Sequence, residues 1–101
     1  MQWFYLDDVR GVPVGMDAIL VSDYFSMVKT IDLCDKYKIP FAISFDHDIG
    51  DEYYSGYQVA KYIAENEIPM VGFAIHSMNP VGADNIRQIL THYGYKEIDW
   101  R

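Results

Sequence analysis

Six side chains able to hold a cation or move a proton stand directly after short apolar runs. Asp7 and Asp8 follow residues 3–6, Asp46, His47 and Asp48 follow residues 41–45, and His76 follows residues 70–75. If Asp7, Asp8 and Asp46 come together, they repel one another unless a cation sits between them. Carboxylate oxygens in such a group suit Mg²⁺ or Mn²⁺, which keep part of their water shell and accept a phosphate oxygen. The competing reading is three independent acids capping loops and helices. His47 and His76 are suited to take a proton from one oxygen and give one to another near neutral pH, which is the work needed to open a cyclic phosphodiester. Either is equally able to bond a backbone group at a strand end.

Other residues qualify as ligand contacts. Ser77 and Asn79 can donate to a phosphate oxygen, and a helix starting after Asn79 aims its first amides the same way; both residues also suit capping and turns. Arg10, just past the acidic pair, is a bidentate phosphate clamp or a salt-bridge partner of Asp7 or Asp8. Tyr53, Tyr54 and Tyr57 border the Asp48 loop and are candidates for stacking on a base, or simply for packing. Cys34 falls on an apolar helix stripe and reads as core.

The elements that must position these residues follow from the hydrophobic pattern. Residues 3–6 form an apolar run that stops at Asp7, as a buried strand does at its carboxyl end. Residues 9–16 carry two glycines and a proline and are loop. Residues 18–21 predict a second strand. After Ser22 and Asp23, either of which can cap, Tyr24, Met27, Val28, Ile31 and Cys34 recur at helical spacing. Pro40 ends that helix, and residues 41–45 are a third strand. Ser55 opens a second helix, with Gln58 in capping-box position and Gly56, Val59, Ala60 and Ile63 on one face. Residues 70–75 are a fourth strand. Asn79 and Pro80 start a third helix with Ile86, Ile89, Leu90 and Tyr93 inward, and Gly94 stops it. Residues 95–100 are a fifth strand, at an edge because charges interrupt it.

This order predicts an α/β fold, a three-layer sandwich of flavodoxin or receiver type. Its five-stranded, mainly parallel sheet has order 2-1-3-4-5, with the first helix reduced to a loop and the final helix absent. Ligands of such sheets bind at the carboxyl ends of the strands, beside the point where strand order reverses. All six residues lie at carboxyl ends.

Bulk properties agree. With 101 residues, half of them apolar and 16% aromatic, the chain reads as one domain, 1–101, with enough apolar side chains for a packed core. A net charge of −7 argues against non-specific coating of nucleic acid, though not against a nucleotide substrate. No stretch approaches the roughly 18 apolar residues of a membrane span. The first residues lack the basic flank of a signal peptide, and one cysteine precludes an internal disulfide, so a cytoplasmic location is expected.

Four segments together resemble the cyclic-phosphate-processing receiver-like family, a divergent branch of the response-regulator receiver fold. They are Leu6-Asp7-Asp8-Val9-Arg10, Ser44-Phe45-Asp46-His47-Asp48-Ile49-Gly50, Ser55-Gly56-Tyr57, and His76-Ser77-Met78-Asn79-Pro80-Val81-Gly82. The resemblance implies a receiver-type fold with Asp7, Asp8 and Asp46 in an acidic metal pocket. It also implies a role with cyclic phosphates, such as RNA 2′,3′-cyclic phosphate ends or cyclic nucleotides, in phage–host conflict. A phosphoacceptor receiver needs a lysine at the carboxyl end of the fifth strand, and Lys96 is at the wrong end, so phosphorelay signalling is disfavoured.

Three functions fit this sequence. The leading one is metal-assisted processing of a cyclic phosphate, with Asp7, Asp8 and Asp46 on Mg²⁺ or Mn²⁺. In that reading Arg10, Ser77 and Asn79 hold the phosphate, and Asp46, His47 and His76 are catalytic. The second is a non-catalytic, anti-defence module that sequesters a cyclic nucleotide. The third is a degenerate receiver that docks a protein partner.

Overall fold

The computed structural model describes residues 1–101. Its elements run β1 (Gln2–Leu6), β2 (Ala18–Val21), α1 (Tyr24–Lys36), β3 (Phe41–Phe45), α2 (Gly56–Glu65), β4 (Gly72–Ile75) and α3 (Pro80–His92). The four strands are parallel and lie in the order β2-β1-β3-β4. From β2 onward, each connection moves the chain the same way across the sheet. Right-handed crossovers therefore place all three helices on one face.

Strand alternation sorts the core to match. Phe4, Leu6, Val21, Ile43, Phe45 and Phe73 face the helices and pack with Met27, Ile31, Cys34, Val59, Ile63, Ile86 and Leu90. Trp3, Tyr5 and Ala42 point to the other face. There they meet buried Met16 and the partly buried Val12, Ala18, Ala74, Ile98 and Trp100, none of them helical. The expected three-layer sandwich is thus corrected to two layers. The β1–β2 connection is the one that runs in the opposite direction, and residues 9–16 form no helix to cover that face.

The expected five-stranded sheet is corrected too. Residues 95–100 contribute a single parallel bridge, Phe73↔Glu97. The Phe73 N–H donates to the Lys96 carbonyl at 3.0 Å and the Ile98 N–H to the Phe73 carbonyl at 2.7 Å. Ile98 and Trp100 pack against the helix-free face there, while the Glu97 carboxylate is drawn out to Arg87 of α3, at 2.7 Å from its Nε.

The helices begin close to their capping signals. Asp23 accepts from the Ser26 N–H at 2.9 Å, and Asn79 from the Gly82 N–H at 3.0 Å, with Pro80 opening α3. Ser55 occupies the N-cap of α2 without a side-chain capping bond. The inward position expected for Tyr93 is corrected. It is the C-cap of α3 and half exposed, and after Gly94 turns at φ +90°, Tyr95 packs inward, donating to the Ile68 carbonyl at 2.5 Å.

Candidate functional site

The ladder carries on for one residue past the strand ends. Leu6, Phe45 and Ile75 are register partners across β1, β3 and β4. The Asp7 N–H then donates to the Val21 carbonyl, Asp46 N–H to Leu6, and His76 N–H to Phe45, at 3.1, 3.0 and 2.9 Å. Asp7, Asp46 and His76 therefore stand side by side. Their side chains share the helix-free face, because each is two residues beyond Tyr5, Ser44 or Ala74. One ligand atom from each lies within 4.8 Å of the others.

Asp7 is fully buried and organises the group. Its Oδ1 accepts from the Val9 N–H at 2.9 Å and the Arg10 N–H at 2.8 Å. Its Oδ2 lies 3.0 Å from His76 Nε2 and 4.0 Å from Arg10 Nε. The imidazole is clamped further: Nδ1 is 2.7 Å from Ser44 Oγ, and the ring stacks on Tyr5 at 3.9 Å with 9° between planes. Since an ionised carboxylate only accepts, the neutral ring carries its proton on Nε2, and the Ser44 hydroxyl donates to Nδ1.

The two carboxylates are held differently. Burial would raise Asp7, but the two backbone N–H bonds and His76 overcome it and hold its pKa below the ordinary value. Asp46 is raised, first by burial and then by the neighbouring Asp7 charge, against a weak bond from the Asp48 N–H. His76 is lowered by burial despite its bond to Asp7, so its imidazole is neutral at pH 7. Two carboxylate oxygens and an imidazole nitrogen form a donor set for a divalent cation.

The other expected site residues lie around this group. Asp8 is exposed and turns toward Gly50, outside the group. The Asx turn closed by Asp7 sends it outward, and the group that converges in the structure is two carboxylates, Asp7 and Asp46, with His76. His47 packs its ring on Gly82 of α3 and bonds Asp48 Oδ1 at 2.9 Å, and it too lies outside the group. Ser77 Oγ accepts from the Asn79 N–H at 3.1 Å, and Asn79 caps α3. Tyr53 and Tyr54 cluster with Tyr24 and Phe25 beside the start of α1, and Tyr57 packs on the helix-side core.

Sequence reasoning missed Ser44 and Tyr5 as site residues. The available signal was period 2, since each precedes a site carboxylate by two residues and so shares its face.

A comparison with curated proteins finds no match, and neither does one with solved structures. Residues 3–92 match the model of a family described as the cyclic-phosphate processing receiver domain, and the chain belongs to that family.

Proposed function

We propose that the protein processes a cyclic phosphate with a divalent cation held by Asp7, Asp46 and His76. The observation that carries this reading is the convergence of those three donor atoms within 4.8 Å, in a chain of the cyclic-phosphate processing receiver family. The donor set fits a cation on chemical grounds. Two buried carboxylates face each other, and one has a raised pKa that a cation would bring down. The imidazole nitrogen moves the preference from Mg²⁺ toward Mn²⁺ and its transition-metal neighbours.

Arg10 is the phosphate clamp in this reading. Its guanidinium is near Asp7 yet half exposed, so it can turn to a ligand oxygen. Ser77 retains its hydroxyl proton and can donate to the same phosphate, and the first amides of α3 lie beyond Asn79. With His76 engaged as a ligand, His47 is the remaining imidazole able to move a proton, and Asp48 orients it. A bound cation would neutralise charge that develops on the phosphoryl oxygens.

The test is incubation of the purified protein with Mn²⁺ or Mg²⁺ and a panel of 2′,3′-cyclic nucleotides, cyclic-phosphate RNA ends and cyclic dinucleotides, read by chromatography. The expected result is cleavage of at least one class, abolished in Asp46→Asn with the circular dichroism spectrum unchanged. Ligand depleted but recovered intact would favour sequestration, and no effect on any ligand would favour a partner-docking receiver.

A further inference from the structure

Residues 95–100 leave β4 early, and a cleft opens where they depart. Their pairing is confined to Phe73, whose N–H and carbonyl meet Lys96 and Ile98. Ile98 closes over Gly72, where an added Cβ would stand 2.7 Å from its Cδ1. Past that point lies a cavity of about 500 Å³, with Ala74, Ile75 and His76 on one side and Asp99, Trp100 and Arg101 on the other. His76 belongs both to this wall and to the Asp7–Asp46–His76 group, so cleft and candidate cation site are contiguous.

Three features describe what fits there. The backbone alternation that points the N–H and carbonyl of Phe73 at residues 96–98 points those of Ile75 the same way, where no strand pairs with them. One donor and one acceptor thus face the cleft. Trp100 is half-buried on the same sheet face as the three site residues, with the Arg101 guanidinium 5.0 Å over its ring. The charges also differ along the cavity: Glu97 is tied to Arg87 and exposed Asp99 is balanced by exposed Arg101, so this end has no net pull on a phosphate, whereas the half-exposed Arg10 beyond the cation site can attract one.

We infer that the cleft receives the nucleoside of a cyclic nucleotide, the base lying against Trp100 and presenting its edge to the Ile75 backbone. The inference rests on the function proposed above and names its substrate class: nucleoside cyclic phosphates rather than base-free ones. It also moves the stacking role away from Tyr53 and Tyr54, which are packed with Tyr24 and Phe25. Tyr57 borders a groove between α2 and α3 instead.

The test measures affinity by calorimetry in millimolar Mn²⁺, using slowly cleaved phosphorothioate forms of 2′,3′-cyclic AMP and of glycerol 1,2-cyclic phosphate. Wild type is expected to bind the nucleotide more tightly. Trp100→Leu should weaken the nucleotide about ten-fold, leave the glycerol compound unchanged, and be rescued by Trp100→Phe. A second measurement needs no variant. Because Trp3 is buried, Trp100 is the indole a base can reach, so the nucleotide should quench tryptophan emission and the glycerol compound should not. Unchanged nucleotide affinity in Trp100→Leu, equal weakening of both ligands, or no quenching at saturation would each overturn the cleft while leaving cyclic-phosphate binding intact. Failure of wild type to bind either compound would overturn both.

Discussion

The site turns on how one hydroxyl treats one imidazole. In the free protein Ser44 donates to Nδ1 of His76, because the Nε2 proton is given to Asp7. A cation at Nε2 requires the opposite arrangement, with the proton on Nδ1 and Ser44 accepting it. A hydroxyl can rotate to serve both states, and it costs little to do so. Ser44→Ala serves neither, and loss of such an orienting partner typically weakens metal affinity about ten-fold or more. Calorimetric titration with Mn²⁺ checks this, and an unchanged affinity would remove His76 from the ligand set.

At the scale of elements, the site depends on how closely α2 and β3 approach. Gly56, the first residue of α2, donates its N–H to the His47 carbonyl at 2.8 Å, and a Cβ there would lie 1.9 Å from the Asp46 carbonyl oxygen. Backbone cannot step aside as a flexible side chain can. Gly56→Ala is therefore expected to cost about 1–3 kcal/mol and to shift Asp46, lowering both the denaturation midpoint and Mn²⁺ affinity. Normal affinity in a destabilised variant would separate the contact from the site. Helices α1 and α2 are joined by the Tyr62 hydroxyl donating to Asp32, and that carboxylate pushes the phenol up to about 12. A raised folded-state pKa contributes stability that is complete below pH 10 and lost as pH rises toward 12. Tyr62→Phe should thus be less stable than wild type by about 1 kcal/mol at pH 8, allowing for solvent exposure. The two should converge between pH 10 and 12 in urea unfolding measured across that range; a constant gap would mean that the hydrogen bond is not its source.

Over the whole molecule, helices shield one face of the sheet, and a loop with residues 95–100 shields the other. The chain carries a net charge of −7, and no helix is long and apolar enough to cross a membrane. Two buried carboxylates within this acidic chain would make a cation bound between them a stabiliser of the fold. At a free concentration about 100-fold above Kd, a ligand of the folded state adds about 2.7 kcal/mol. For a chain of this size that raises Tm by about 10 °C or more. Calorimetric scans in Mn²⁺ and in EDTA should show the rise in wild type and none in Asp46→Asn. An equal rise in both would place the cation elsewhere.

The sequence by itself determined the element order, the parallel strand direction and the gathering of acids and histidines at one sheet edge. These are local matters: apolar runs set the strands, helical spacing set α1 to α3, and parallel strands joined by helices must end on the same side. The tertiary structure decided which of those residues meet. Register, fixed by distant core partners such as Phe45 and Phe73, placed His76 beside Asp7 and Asp46, while the turn at Asp7 sent Asp8 outward. It also decided that residues 95–100 make one bridge with β4 and open a cleft, since pairing depends on what packs behind the segment: Ile98 seats over Gly72, while the Glu97 carboxylate is drawn away to Arg87.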